Sequence, residues 1–345
     1  MGFELREIGR TFCQERAQWE SLLYTQGLRP EKQPGLICGV FEEEKLVATG
    51  CCCRNTLRCL AVDAAYQGQG LLNTVVSYLM EYQFSQGNRH VFLYTKPESE
   101  RFFKDLGFYP IDRAERAVVF MENKARGFAQ FCESLKAYSH QGETAAIVMN
   151  ANPFTLGHRH LVEHAAKKYD HVYLFVLSED VSLIPFSVRW QLVTEGTADL
   201  KKVSCLPSGP YIISQATFPS YFLKREEEAI LRHAQLDARL FLRIGEALGI
   251  RTRCVGTEPN SLVTRLYNET LAEVLPAGGI HCEVIPRLQV EDGLISASTV
   301  RQYIRDGNWE KIRSFVPDCT WAYFRSPQAQ PVIRKLQATE NVKHY

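Results

Sequence analysis

Apolar residues recur in two patterns along this chain. In the second half, short apolar-rich stretches at 145–149, 171–177, 202–206, 252–255 and 282–285, the first two nearly unbroken, alternate with stretches of helical spacing such as 159–168. Unbroken runs suit strands covered on both faces. Their alternation with helices therefore predicts a parallel sheet flanked by helices on either side. Right-handed crossovers gather the loops that follow such strands along one sheet edge. The loop after residue 149 and the segment 290–301 are thus expected to meet, although more than a hundred residues separate them.

The first half has a different order. Helical spacing over 12–26 brings Phe12, Trp19, Leu22 and Leu23 to one face, and runs at 35–41 and 45–51 flank the acidic turn Glu42-Glu-Glu44, which predicts a hairpin. A strand over 57–62, a glycine loop, a helix through Tyr82, a strand over 90–95 and a helical stretch over 101–108 follow. At 345 residues the chain is too long for one ordinary core. The expected division is an α/β domain over 1–122, a linker over 123–143, a second domain over 144–325 and a peripheral, partly disordered tail over 326–345.

Charge and cysteine usage narrow the classes. With 40 basic and 39 acidic residues the formal net charge is +1, which gives no strong field for nucleic acid or a membrane surface. The eleven cysteines include the adjacent Cys51, Cys52 and Cys53 but no CxxC pair, so they read as reduced packing residues of a cytoplasmic protein. No apolar run approaches the length of about 20 residues that a membrane span needs, and residues 1–7 lack a signal-peptide core.

Candidate chemistry concentrates at two helix starts. Asn150-Ala-Asn-Pro-Phe-Thr-Leu-Gly-His158 runs from a strand end through a turn into a helix, where unpaired N–H groups and the positive end of the helix dipole favour a polyphosphate. Gly157 is expected to let a phosphate approach the backbone, and His158 to donate to charge developing on phosphorus. Ile295-Ser-Ala-Ser-Thr-Val-Arg301 opens another helix, with Ser296 and Ser298 expected at N-cap positions and Arg301 on the first turn. Either segment alone would suit an ordinary capped helix. Together they make a pair of anion-ready starts in one domain. His158, His160 and His164 read as a site histidine and a surface pair rather than as ligands, and no protein-held metal is expected.

Thr155-Leu-Gly-His158 with residues 295–301 resembles the paired signature of the HxGH-type nucleotidyltransferases, with Thr155 in place of the first histidine. Met149-Asn-Ala-Asn-Pro-Phe154, the stretch 211–224 and Val255-Gly-Thr-Glu-Pro259 make nearly the whole chain similar to the citrate lyase ligase family. Gln67, Gly68, Gln69 and Gly70, ahead of a helix, resemble the pyrophosphate loop of GNAT acyltransferases, with Leu72 where that family has a small residue. The resemblance implies a GNAT-like mixed-sheet domain followed by a Rossmann-like parallel-sheet nucleotidyltransferase domain.

It also implies a function: an acid–thiol ligase that uses ATP with Mg²⁺ on its phosphates, converts acetate to acetyl-AMP with release of pyrophosphate, and acetylates a thiol. That thiol would belong to the coenzyme-A-like prosthetic group of the citrate lyase acyl carrier subunit. His158 and Arg301 would stabilise transition-state charge. Asn152, Pro153, Phe154, Thr155, Gly157, Ser296 and Ser298 would hold ATP and its phosphates. Arg189, Lys224, Thr257 and Glu258 are candidate substrate contacts, each with a plain structural alternative as a solvated helix residue or a strand-end turn. Two other functions remain open at this point: an adenylyltransferase acting on a phosphorylated metabolite such as phosphopantetheine, and a non-catalytic nucleotide-sensing module.

Overall fold

A computed structural model describes residues 2–9, 11–114, 117–213, 226–257, 262–290 and 293–342. They form two compact units, one of residues 1–130 with 219–232 and one of 131–218 with 233–345.

The first unit contains β1 (Phe3–Glu7), α1 (Cys13–Thr25), β2 (Leu36–Glu42), β3 (Lys45–Cys53), β4 (Thr56–Val62), α2 (Leu71–Ser85), β5 (Phe92–Thr95), α3 (Glu100–Asp105), β6 (Tyr109–Ala114) and β7 (Val118–Glu122). The helices, hairpin and strands expected from the sequence are present. β1, β6 and β7 are additions. β1 has no buried residue and is held by its ladder to β2, so no apolar rhythm announces it. The seven strands follow the order β1-β2-β3-β4-β5-β7-β6, antiparallel except where β4 meets β5. That parallel ladder holds only Thr56↔Phe92 and Leu57↔Leu93, although β4 runs on to Val62 and β5 to Thr95. Beyond Leu57 the two strands share no ladder, and the sheet has a notch there.

Next come α4 (Gly127–Leu135), β8 (Thr144–Met149), α5 (Leu156–Lys168), β9 (His171–Val176), α6 (Phe186–Gly196), β10 (Val203–Pro207), α7 (Glu226–Leu248), β11 (Thr252–Gly256), α8 (Leu262–Ala277) and β12 (His281–Ile285). A two-residue ladder between Gln289–Val290 and Gly293–Leu294 leads to α9 (Ala297–Arg305), α10 (Trp309–Ile312), α11 (Asp318–Arg325) and α12 (Gln330–Gln337). The five expected strands form one parallel sheet in the order β10-β9-β8-β11-β12. All six residues of β9 are buried, as an apolar run covered on both faces requires.

Strand order reverses at β8, so the crevice beyond the carboxyl ends of β8 and β11 is the switch point where open α/β sheets bind ligands. β8 pairs with β9 over six residues but with β11 only at Ala145↔Thr252 and Ala146↔Arg253. The two central strands therefore part before their ends at Met149 and Gly256.

The segment 326–345, expected as a peripheral tail, corrects that expectation as far as residue 342. Val332, Ile333, Leu336 and Val342 are buried in the same core as Ile147, Leu174 and Val300. Val332, Ile333 and Leu336 are the buried face of α12, and Val342 packs into the core beyond its end. Among the described residues no helix is long and apolar enough to cross a membrane.

Candidate active site

The site begins with a cap. Thr155 closes the N-terminus of α5 by accepting from the His158 N–H at 3.3 Å, and the Thr155 N–H donates in return to His158 Nδ1 at 3.1 Å. A backbone N–H can only donate, so Nδ1 is the acceptor and the imidazole carries its proton on Nε2. Burial, with the positive charges of Arg287 and Arg301, pulls this histidine down to about 4. At neutral pH His158 is therefore an uncharged Nε2–H donor at the positive end of a helix. Its ring stacks on Phe154 with centroids 5.9 Å apart.

The second segment meets the first directly. Ser296 caps α9 by accepting from the Thr299 N–H at 3.1 Å, and its Oγ lies 2.9 Å from that of Ser298. Ser296 is the N-cap, whereas Ser298, also expected at a cap position, is the second residue of the helix and lies within its first turn, because α9 starts at Ala297. Arg301 Nη1 donates to the Asn152 carbonyl at 2.6 Å and Nε to that of Val342 at 2.6 Å. A Cβ built on Gly157 would lie 3.4 Å from both Cγ2 and the carbonyl oxygen of Ile295. Both are ordinary van der Waals distances, so the Gly157 position faces the second segment at close range.

Burial divides the expected site residues by task. Asn152, Pro153, Phe154 and Thr155 are buried and shape the loop from within, while Gly157, His158, Ser296 and Ser298 are half-buried at its surface. Asn152 Oδ1 accepts from the Ile184 N–H at 3.2 Å, and the Phe154 carbonyl accepts from Thr320 Oγ1 at 3.0 Å. Ala151 takes a left-handed φ of 49° inside this loop. Arg301 is only 3% exposed, and burial pulls it down to about 10, so it stays charged while its Nη1 and Nε bond to main-chain carbonyls. It acts on the site by bracing the Asn152 turn.

Arg189 is fully buried, donating to the carbonyls of Ile184, Asn150, Leu177 and Glu179 at 2.6–3.0 Å. It knits together the loops after β8 and β9, which leaves the guanidinium no exposed face for a substrate. Thr257 extends the β11–β12 pairing past the strand ends: its N–H donates to the Ile285 carbonyl at 2.9 Å and its Oγ1 accepts from the Arg287 N–H at 3.1 Å. Arg287, half-buried beyond β12, was not marked from the sequence, where an isolated Pro286-Arg287 carries no pattern. Lys224 and Glu258 lie outside the described residues.

In the other unit, Gln67, Gly68, Gln69 and Gly70 are exposed ahead of α2. Gly68 and Gly70 hold φ of 82° and 76°, and neither would meet a heavy atom within 4 Å on gaining a Cβ. Gly70 is the N-cap and supplies no side-chain cap, so the loop presents bare amides. Leu72 packs half-buried against the core of its own unit.

Known proteins match this arrangement along the chain. Residues 4–108 match the acetyltransferase (GNAT) family and residues 144–324 the citrate lyase ligase C-terminal domain. Three curated relatives are named [Citrate [pro-3S]-lyase] ligase. The protein from Klebsiella pneumoniae is 39% identical over 81% of this chain and 84% of its own length. That from Haemophilus influenzae is 36% identical over 89% and 94%, and that from Escherichia coli is 34% identical over 92% and 93%. With a domain match across half its length and relatives this similar over most of it, the chain belongs to the citrate lyase ligase family of enzymes.

Proposed function

We propose that this enzyme activates acetate with ATP and transfers the acetyl group to a thiol on citrate lyase. The observation that carries the reading is the neutral His158, its Nε2–H held at the start of α5 beside the Ser296 cap of α9. Two helix N-termini converge there on one crevice, and a triphosphate is the ligand whose charge they suit.

In this reading an acetate oxygen attacks the α-phosphorus of ATP. The bond from that phosphorus to the bridging oxygen breaks, and pyrophosphate leaves with the electron pair. His158 Nε2–H donates to the charge that builds on the phosphate oxygens, and the Ser296 and Ser298 hydroxyls with the first-turn amides hold the phosphates. Mg²⁺ bound to the phosphates as part of the substrate would neutralise part of their charge. A thiolate then attacks the acetyl carbonyl carbon and AMP departs, leaving a thioester. The similarity to citrate lyase ligases supports citrate lyase as the acceptor, through the coenzyme-A-like group of its acyl carrier subunit. Residues 1–122 with the bare amides of Gly68 and Gly70 would grip the pyrophosphate and pantetheine arm of that group. Eleven free cysteines favour a reducing, cytoplasmic setting.

The test is to mix the enzyme with labelled ATP, acetate and deacetylated citrate lyase. AMP formed in step with regained lyase activity supports the assignment. A dinucleotide-like product with phosphopantetheine, and no acetate-dependent AMP, would replace it with adenylyl transfer.

A further inference from the structure

Arg189 and Arg301 are buried and bond to main-chain carbonyls. Arg253 is buried too, at 2% exposed, yet its Nε and Nη1 are enclosed without a hydrogen-bond partner among the described residues. Among those residues no other side chain has two such nitrogens. A buried donor left unbonded is costly, so the position calls for an acceptor. The buried carboxylate of Asp237, on α7, is occupied elsewhere: it accepts from the Tyr267 hydroxyl at 2.5 Å and from the Ile213 N–H at 2.9 Å.

Sheet register shows where the guanidinium lies. Ala146 of β8 stands between Tyr173 of β9 and Arg253 of β11, and residues in register across a parallel sheet share a face. Two residues on, Val148 is level with Phe175, whose ring meets Phe241 of α7 edge to face with centroids 6.4 Å apart. The Arg253 guanidinium carbon lies 4.2 Å from the centroid of the same Phe241 ring. A ring face offsets part of the charge and supplies no acceptor oxygen. Arg253 thus sits between the sheet and α7, in the row where β8 and β11 last pair. Beyond that row the two strands part, and Val148 is half-buried while the other five residues of β8 are buried. The face beyond Arg253 is therefore not closed over Val148.

We propose that Arg253 is the floor of a site for a small monocarboxylate, reached past Val148 from the ends of β8 and β11. One guanidinium balances one negative charge, and Val148, Phe175 and Phe241 beside it suit a short apolar stem. The proposal rests on the reading of this enzyme as one that activates acetate, and names the group that recognises the acid.

The experiment follows melting temperature and steady-state kinetics in the parent, Arg253→Met, Arg253→Lys and Val148→Phe, with acetate, chloride and phosphate as added anions at constant ionic strength. Acetate should raise the melting temperature of the parent more than chloride or phosphate does, and Arg253→Met should lose that rise. In anion-poor buffer Arg253→Met should melt no lower than the parent, because methionine fills the space and leaves no donor unbonded. In AMP formation with deacetylated citrate lyase, Arg253→Met should raise the KM for acetate by about tenfold or more and leave that for ATP within about twofold, with Arg253→Lys in between. Val148→Phe keeps the charge and narrows the way in, so it should raise the KM for acetate alone. Equal protection by chloride would overturn the proposal, as would an anion-free Arg253→Met that melts well below the parent, which marks a brace of the fold. A parent that forms AMP with acetate while Arg253→Met keeps the parental KM removes only the site. A parent that acetate neither protects nor drives to AMP removes the reading of acetate activation itself.

Discussion

The Thr155 N–H points at His158 Nδ1 from 3.1 Å, so the residue that caps α5 also sets the tautomer of the histidine three positions on. Removing the imidazole by His158→Ala should lower acetate-dependent ATP–pyrophosphate exchange by about a hundredfold or more, the scale of losing one transition-state donor, with far less effect on ATP affinity. Thr155→Val should cost about 1 kcal/mol by losing the cap, while Thr155→Ser keeps it. Exchange rates and urea denaturation report the two effects. An undiminished rate in His158→Ala would remove it from the chemistry.

Acid should destabilise the protein earlier than its carboxylates alone would. Burial pulls both His158 and His171 from 6.5 to about 4, His171 with help from His140, whose ring stacks 3.5 Å away. Between those values the unfolded chain binds protons that the folded one refuses. Stability from these groups is therefore complete above pH 6.5, falls as pH drops toward 4, and changes no further below that. Each shift corresponds to about 3 kcal/mol. Urea midpoints at pH 7.5, 6 and 5 should decline, and His171→Gln should flatten the decline; midpoints unchanged from pH 7.5 to 5 would contradict the assignment.

Gly157 offers a test of direction. An added Cβ would sit in ordinary contact with Ile295, so Gly157→Ala should melt close to the parent and still bind ATP. Gly157→Val should cost about 1–3 kcal/mol by forcing Ile295, and Ser296 after it, away from α5. Loss of ATP binding in the alanine variant with an unchanged melting temperature would mean that the Cβ faces phosphate after all.

Leu336 is fully buried in the core of the second unit. Leu336→Ala should destabilise the protein by about 2–5 kcal/mol in denaturant titrations, where a residue of a loose tail would change it by about 0.5 kcal/mol or less.

The parallel sheet was legible because strands covered on both faces leave unbroken apolar runs, as at 171–176. The cap at Ser296 was legible in kind, since a hydroxyl residue ahead of helical spacing has few other uses, whereas Thr155 was read only as part of a family signature and its capping role came from the structure. Edge strands such as β1, with no buried residue, left no trace. What an arginine does was equally hidden. Arg189 and Arg301 look like any other arginine in sequence, and only burial and the positions of the carbonyls around them show that they brace the loops beside the crevice. The direction of a Cβ that glycine lacks is likewise a property of the neighbouring chain, here Ile295.

The Arg301 guanidinium reaches back 149 residues to Asn152 and forward 41 to Val342. During synthesis the turn after β8 leaves the ribosome long before either of its clamps exists. The crevice beside β8 is thus finished only when the chain has been made through Val342, and a ribosome that stalls short of that point releases a product with its crevice unbraced.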